Sequence, residues 1–211
     1  MAQEPPVRTV AVVLFERFTV LDVYGPVQAF ASCRVTRPDG SRHNFFKMFT
    51  VGAKAGPVSS GEGVATVADY AFEDAPPFDI LLVPGGFGTR LVVNDGDWLT
   101  RLAATSRRAQ ITTSVCTGSA LLAKAGLLDT RPATSNKISW DWVVQQGANV
   151  RWQRKARWVD DGNVLTSSGV SAGIDMALAL IARLNGRELA LAAARHMEYV
   201  WNEDPANDPF A

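Results

Sequence analysis

Two cysteines stand in the 211-residue chain, Cys33 and Cys116. Only Cys116 is set where a thiol could do chemistry. It directly follows a mainly β-branched run, Ile111 to Val115, and opens the segment Cys116-Thr117-Gly118-Ser119, after which a helix, Ala120 to Ala125, is expected. A thiol attacks as thiolate, and the positive end of a helix lowers its pKa from a free value near ~8.5. A cysteine wedged between a strand and a helix N-terminus meets that requirement. A second strand, Asp79 to Val83, runs into Pro84-Gly85-Gly86. Its glycines let the backbone come close to a neighbour, and the amides of Thr117 and of Gly85 or Gly86 could converge on a developing anion. Cys33 lies in an apolar stretch without such neighbours and reads as a small hydrophobe.

A thiol enzyme needs a group that handles a proton, most often histidine. The two histidines offer little: His43 lies among Ser41, Arg42 and Asn44, and His196 falls in the last helix. Asp22 is the better candidate, because it interrupts the apolar stretch Val20-Leu21-Asp22-Val23-Tyr24 just after the first strand. Buried there, it would have a raised pKa and could carry a proton near neutrality. Aspartate also caps helices, and on spacing alone both readings stay open.

The surrounding elements alternate. Val7 to Phe15 reads as a buried first strand and Val20 to Cys33 as a helix with Pro26 in its first turn. Phe45 to Val51 is a second strand, and Gly61 to Ala68 a flanking ribbon. Trp98 to Arg108 is an amphipathic helix with Asp95 and Asp97 near its start. Gly126 ends the helix after the cysteine, and Ile138 to Gln146 forms another. Ala156 to Val159 and Val164 to Ser167 flank the hairpin signal Asp160-Asp161-Gly162-Asn163. Ser171 to Leu184 and Glu188 to Trp201 are two final helices, and the polar tail from about 202 is expected to be loose. Such alternation implies one α/β domain over residues 1–211, its mostly parallel sheet covered on both faces. Functional groups then gather at the carboxyl ends of strands, where Gly85-Gly86 and Cys116 both lie.

Composition narrows the function classes. Lys plus Arg and Asp plus Glu are equal at 21 each, so no bulk charge favours nucleic acid or an acidic membrane. The cluster Arg101 to Arg108 reads as the wet face of a helix. No apolar run approaches a membrane span, and Val10 to Phe15 is too short for a signal peptide core. A cytoplasmic chain with free thiols is expected, without a metal-ligand cluster or dinucleotide fingerprint.

Four segments, taken together, resemble the DJ-1/PfpI superfamily, most closely its isonitrile hydratase branch: Leu21-Asp22 with Gly25-Pro26, then Pro84-Gly85-Gly86, then Ser114 to Ser119, then Gly169 to Asp175. The resemblance implies a flavodoxin-like three-layer sandwich and a homodimer. It also implies a strained nucleophile elbow at Cys116, with Asp22 hydrogen-bonded to the sulfur, supported by Gly85, Gly86 and Thr117 and lined by Val170 and Asn136. Thr117 stands where the proteases of the superfamily carry histidine, and Asn136 replaces a histidine of many relatives. The implied reaction is cofactor-free hydration of an isonitrile to an N-substituted formamide. Two alternatives follow from the same resemblance: action on reactive carbonyls such as methylglyoxal, and a ligand- or redox-sensing domain like those fused to AraC-type regulators. Asp22 and Asn136 weigh against the first. Against the second, the chain is expected to have no helix-turn-helix segment after its last helix.

Overall fold

A computed structural model describes residues 6–211. The first Val-rich run forms β1 (Arg8–Val13), whose last four residues are buried, and α1 (Val20–Ser32) follows after a short loop. A small hairpin, β2 (Arg34–Thr36) and β3 (Arg42–Asn44), leads to β4 (Phe46–Gly52). The flanking ribbon pairs β5 (Gly56–Ser59) with β6 (Ala65–Ala68), and β7 (Tyr70–Ala71) closes one sheet edge. Then come β8 (Ile80–Val83), α2 (Thr89–Val92), α3 (Gly96–Ser106), β9 (Ile111–Ser114) and α4 (Gly118–Lys124). The last third holds β10 (Pro132–Ala133), α5 (Trp140–Val144), β11 (Arg151–Trp152), the hairpin β12 (Trp158–Asp160) with β13 (Val164–Ser167), α6 (Ala172–Asn185) and α7 (Arg187–His196).

The central sheet runs β12-β13-β9-β8-β1-β4-β7, and only the β12–β13 pair is antiparallel. Taken in chain order, the five parallel strands β1, β4, β8, β9 and β13 are arranged 2-1-3-4-5, the flavodoxin order. That order reverses between β1 and β8, so the chains leaving these two strands diverge and open a crevice at their carboxyl ends. All four residues of β8 and of β13 are buried, as strands covered on both faces must be. On one face α1 packs against α6, where Gly173 matters: a Cβ there would stand 2.8 Å from the Val115 side chain and 3.3 Å from Pro26. The small residue lets α6 sit directly against the strand that leads into Cys116.

Three local expectations change. Pro26 lies inside α1, in its second turn rather than its first. The final helix stops at His196, because Glu198 takes a left-handed φ of 51° that an α-helix cannot continue. The tail is not loose. Asn202 N donates to Asp175 Oδ1 at 3.0 Å, Arg157 N to Pro205 O at 2.8 Å, and Asp208 N to Lys155 O at 2.7 Å. Asp208 is buried with a carboxylate oxygen 3.8 Å from each of Lys137 Nζ and Arg157 Nη1. The polar tail is docked by polar contacts: Asp208 meets two buried cations, and Asn202 N meets the Asp175 carboxylate. Removing one charge of a buried pair strands the other, so Asp208→Asn is expected to cost about 2 kcal/mol of stability. Chemical denaturation would show it, and an unchanged midpoint would mean the pairing contributes nothing.

Among the described residues no helix is long and apolar enough to cross a membrane.

Candidate active site

Cys116 lies in the middle of the three-residue turn that joins β9 to α4. Its φ is 57°, a left-handed value that costs a non-glycine residue of order 1–3 kcal/mol and is held only when surroundings over-determine it. Here they do. Val115 N donates to Val83 O at 3.0 Å, Cys116 N to Ser168 O at 3.1 Å, and Gly118 N to Val115 O at 2.9 Å. The Cys116 carbonyl accepts from Ser135 Oγ at 2.8 Å and Ser119 Oγ at 3.2 Å.

Asp22 comes to the same place from the first turn of α1. Thr19 holds the N-cap position, without a side-chain cap bond, and Asp22 lies three residues inside the helix, so the capping alternative for Asp22 falls away. Its side chain is wholly buried, with Oδ2 accepting from Gly85 N at 2.9 Å and Oδ1 without a hydrogen-bond partner. Burial raises its pKa from an ordinary 3.8 to about 7; the Gly85 amide and the Cys116 thiol pull the other way, and Glu62 adds a further raise. The carboxyl and the thiol thus feel each other, although Oδ1 makes no full hydrogen bond.

The Cys116 thiol itself departs from the sequence expectation. Burial pushes it well above its ordinary range and the Asp22 charge pushes it further, while the amides of Thr117 and Val170 and the Thr117 hydroxyl favour the thiolate without prevailing. The helix behind it, α4, has only seven residues, too short a dipole to offset removal from water. The resting pair is therefore a thiol beside a carboxyl that titrates near neutrality.

The two glycine amides are committed rather than open. Gly85 N serves Asp22, and Gly86 N donates to Thr117 Oγ1 at 3.0 Å, a hydroxyl that also accepts from Thr89 Oγ1 at 3.2 Å. The expected anion cradle from Gly85 or Gly86 is replaced by a scaffold that locks Asp22 and Thr117 in place. The donors that meet the sulfur come instead from Thr117 and Val170. Gly85 is required by space: a Cβ would fall 2.5 Å from Thr117 N and 2.9 Å from Asp22 Oδ2. Gly85→Ala is expected to lower stability by about 2–3 kcal/mol, readable as a shifted urea midpoint, and to displace both side chains.

Cys116, Thr117, Gly86, Asn136 and Val170 line one cleft of about 200 Å³. Asn136 is held by accepting from Ser139 N at 2.8 Å. Val170 also takes a left-handed φ, 48°, which turns its amide toward the sulfur. A larger hollow of about 430 Å³ adjoins across Asn136, Ile138 and Val170 and reaches Phe210. Sequence reasoning missed Phe87, Arg90, Ile138 and Ser139 in the cleft wall. They come from loops and short helices without a pattern of their own; only the position of Phe87, directly after the glycine pair, was a signal. Neither histidine lines the cleft: His43 meets Phe45 edge to face, and His196 Nε2 lies 2.9 Å from Arg34 Nη2. Among the described residues no cluster of three or more His, Cys, Asp or Glu could hold a metal.

Comparison with known proteins agrees with this architecture. The family model described as DJ-1/PfpI family matches residues 8–183. Isonitrile hydratase of Pseudomonas putida is 36% identical over 186 residues, 88% of this chain and 76% of that protein. The HTH-type transcriptional regulator GbdR of Pseudomonas aeruginosa is 29% identical over 91% of this chain, which spans only 51% of the regulator. Among solved structures, a ThiJ/PfpI family protein from Pseudomonas syringae superposes with a TM-score of 0.81 at 32% identity, covering 94% of this chain and 77% of that one. Drosophila melanogaster DJ-1beta shares the fold, with a TM-score of 0.75 at 18% identity, covering 92% of this chain and 100% of that one.

Proposed function

This chain belongs to the DJ-1/PfpI family, and from that membership and the cleft we propose that it is a cysteine-dependent hydratase converting isonitriles to N-substituted formamides. The observation that carries the reading is the buried Asp22 carboxyl, titrating at about 7 beside the Cys116 thiol. A carboxyl so poised can take a proton and return it within one turnover.

Ionised Asp22 accepts the thiol proton as the sulfur adds to the terminal carbon of R–N≡C. The same proton passes from Asp22 to that carbon, giving the thioimidate R–N=CH–S–Cys116. Water then adds across C=N, and the resulting R–NH–CH(OH)–S–Cys116 collapses: the C–S bond breaks, the sulfur regains a proton, and R–NH–CHO leaves. The balance is one isonitrile plus one water to one formamide. Amides of Thr117 and Val170 stabilise the sulfur while it carries charge. No step needs a metal or organic cofactor. The enzyme would be a lyase of the hydro-lyase type, cytoplasmic and homodimeric, with the apolar surface around α1 and Cys116 as subunit contact.

A second reading rests on the regulator likeness: a ligand- or redox-sensing unit that binds in this cleft without turnover. A third is carbonyl chemistry on methylglyoxal. One panel separates them, in which purified protein is given aryl and alkyl isonitriles and methylglyoxal, with products identified by mass spectrometry. Formamide from the isonitriles is the expected result. Lactate from methylglyoxal without formamide would shift the assignment to carbonyl chemistry, and binding without either product would favour the sensor.

A further inference from the structure

Arg90 shares the cleft wall with Cys116. Its guanidinium lies over the Trp142 ring at 4.6 Å from the centroid and over the Phe87 ring at 5.5 Å, and its Nη2 donates to Ser139 Oγ at 3.2 Å. These contacts fix the group without neutralising it, since among the described residues no carboxylate pairs with it. Five arginines, Arg101, Arg131, Arg157, Arg183 and Arg187, have an acid within 4 Å; what sets Arg90 apart is its place in the cleft wall beside Cys116. A second guanidinium, that of Arg17, lies 5.8 Å from the centroid of the Phe87 ring, so two cations approach that one ring. Two acids act on this region: Asp22, beside Cys116 and held by Gly85 N at 2.9 Å, and Glu62, which raises Asp22 and accepts from Val20 N at 3.1 Å.

A planar fork held by rings, with its charge unspent, is arranged to meet a carboxylate. Arg90 stands in the wall of the same cleft of about 200 Å³ as Cys116, where it can meet the far end of a small molecule whose reacting carbon is at the sulfur. The geometry points to Arg90 as a specificity residue that selects substrates bearing an anionic carboxylate, which under the hydratase reading means isocyano acids in preference to their neutral esters or plain alkyl isonitriles. The substrate class rests on that reading; the anion preference of the cleft does not.

The test uses two reagents of nearly equal size and different charge. Iodoacetate and iodoacetamide are reacted with the folded protein, labelling of Cys116 is followed by peptide mass spectrometry, and the rate ratio is compared with that of free N-acetylcysteine. In parallel, kcat/KM is measured for isocyanoacetate and its methyl ester. Wild type is expected to favour the anion by about tenfold relative to the free thiol, and Arg90→Gln to return that ratio to the free-thiol value and to lower the acid-to-ester ratio of kcat/KM by a similar factor. Arg90→Lys, which keeps charge but loses the fork, should fall between. Added salt should erode the preference, because the cleft is open to solvent. Equal ratios in wild type and Arg90→Gln would overturn the assignment, as would failure of both reagents to reach Cys116. If neither isonitrile is hydrated but the alkylation preference persists and depends on Arg90, the hydratase reading fails and the anion site stands.

Discussion

Cys116→Ser is expected to reduce formamide production by at least about a thousandfold, ~4 kcal/mol of transition-state stabilisation, while the protein remains folded. A hydroxyl at this position keeps the backbone clamp, because the bonds to Ser168, Ser135 and Ser119 involve only the Cys116 main chain. What is lost is a nucleophile whose proton Asp22 can take. An alcohol is a far weaker acid than a thiol, and a carboxyl titrating at about 7 cannot draw its proton to any useful extent. Cys33 is the internal control. Burial pushes its thiol up to about 12, and it lines neither hollow beside the site. Both thiols are thus poor acids at rest, so selectivity comes from Asp22 as a neighbouring proton acceptor and from the cleft. Alkylation near pH 7 should label Cys116 first, and Cys33→Ala should keep the wild-type rate. Retained turnover in Cys116→Ser would remove the covalent mechanism altogether.

How far the sequence foretold this site follows from which interactions are local. The turn at Cys116 was legible because a β-branched run meets Thr-Gly-Ser without a spacer, and the residues on either side determine that geometry. The parallel sheet was legible for the same reason, since Ile80–Val83 is apolar throughout and Val164–Ser167 opens on Val-Leu, and both strands are buried along their length. The acidity of the thiol was not, because it is decided by burial and by a carboxylate 94 positions away in the chain, Asp22, neither of which a seven-residue helix reveals. Gly85 and Gly86 were noticed for the correct reason, close approach, but the groups they approach are Asp22 and Thr117 rather than a reaction intermediate. The docked tail and the cleft wall escaped for a common cause. Asp208, Asn202, Arg90 and Ile138 sit in segments with no periodicity, and their partners Arg157, Asp175 and Trp142 are distant or in other elements.

Asp22→Asn should lower kcat/KM by about 10²- to 10⁴-fold, the range expected for losing a positioned proton-transfer group, and should also remove the pH dependence near neutrality. The reacting state of the Asp22–Cys116 pair holds a single proton, which can be written on either group. Because the thiol is the weaker acid, that state is carboxylate plus thiol, and it is populated as pH rises through about 7. Wild-type kcat/KM should therefore climb between pH 6 and 8 and level off above, whereas the asparagine variant should be flat. Stability moves in the opposite direction. Between 3.8 and about 7 the folded protein keeps a proton on Asp22 that the unfolded chain has released, so the native state binds more protons and stability falls as pH rises. A shift of that size corresponds to roughly 4 kcal/mol, all of it lost above about pH 8. Asparagine can still accept from Gly85 N and carries no charge to bury, so the variant should lack this slope and be the more stable protein at pH 8. Urea titrations of both proteins at pH 5 and pH 8 check the stability, and rate profiles across the same range check the chemistry. A variant that is slower yet no more stable at pH 8 would mean that Asp22 is already ionised at low pH in the folded protein, and the proton relay would have to be assigned elsewhere.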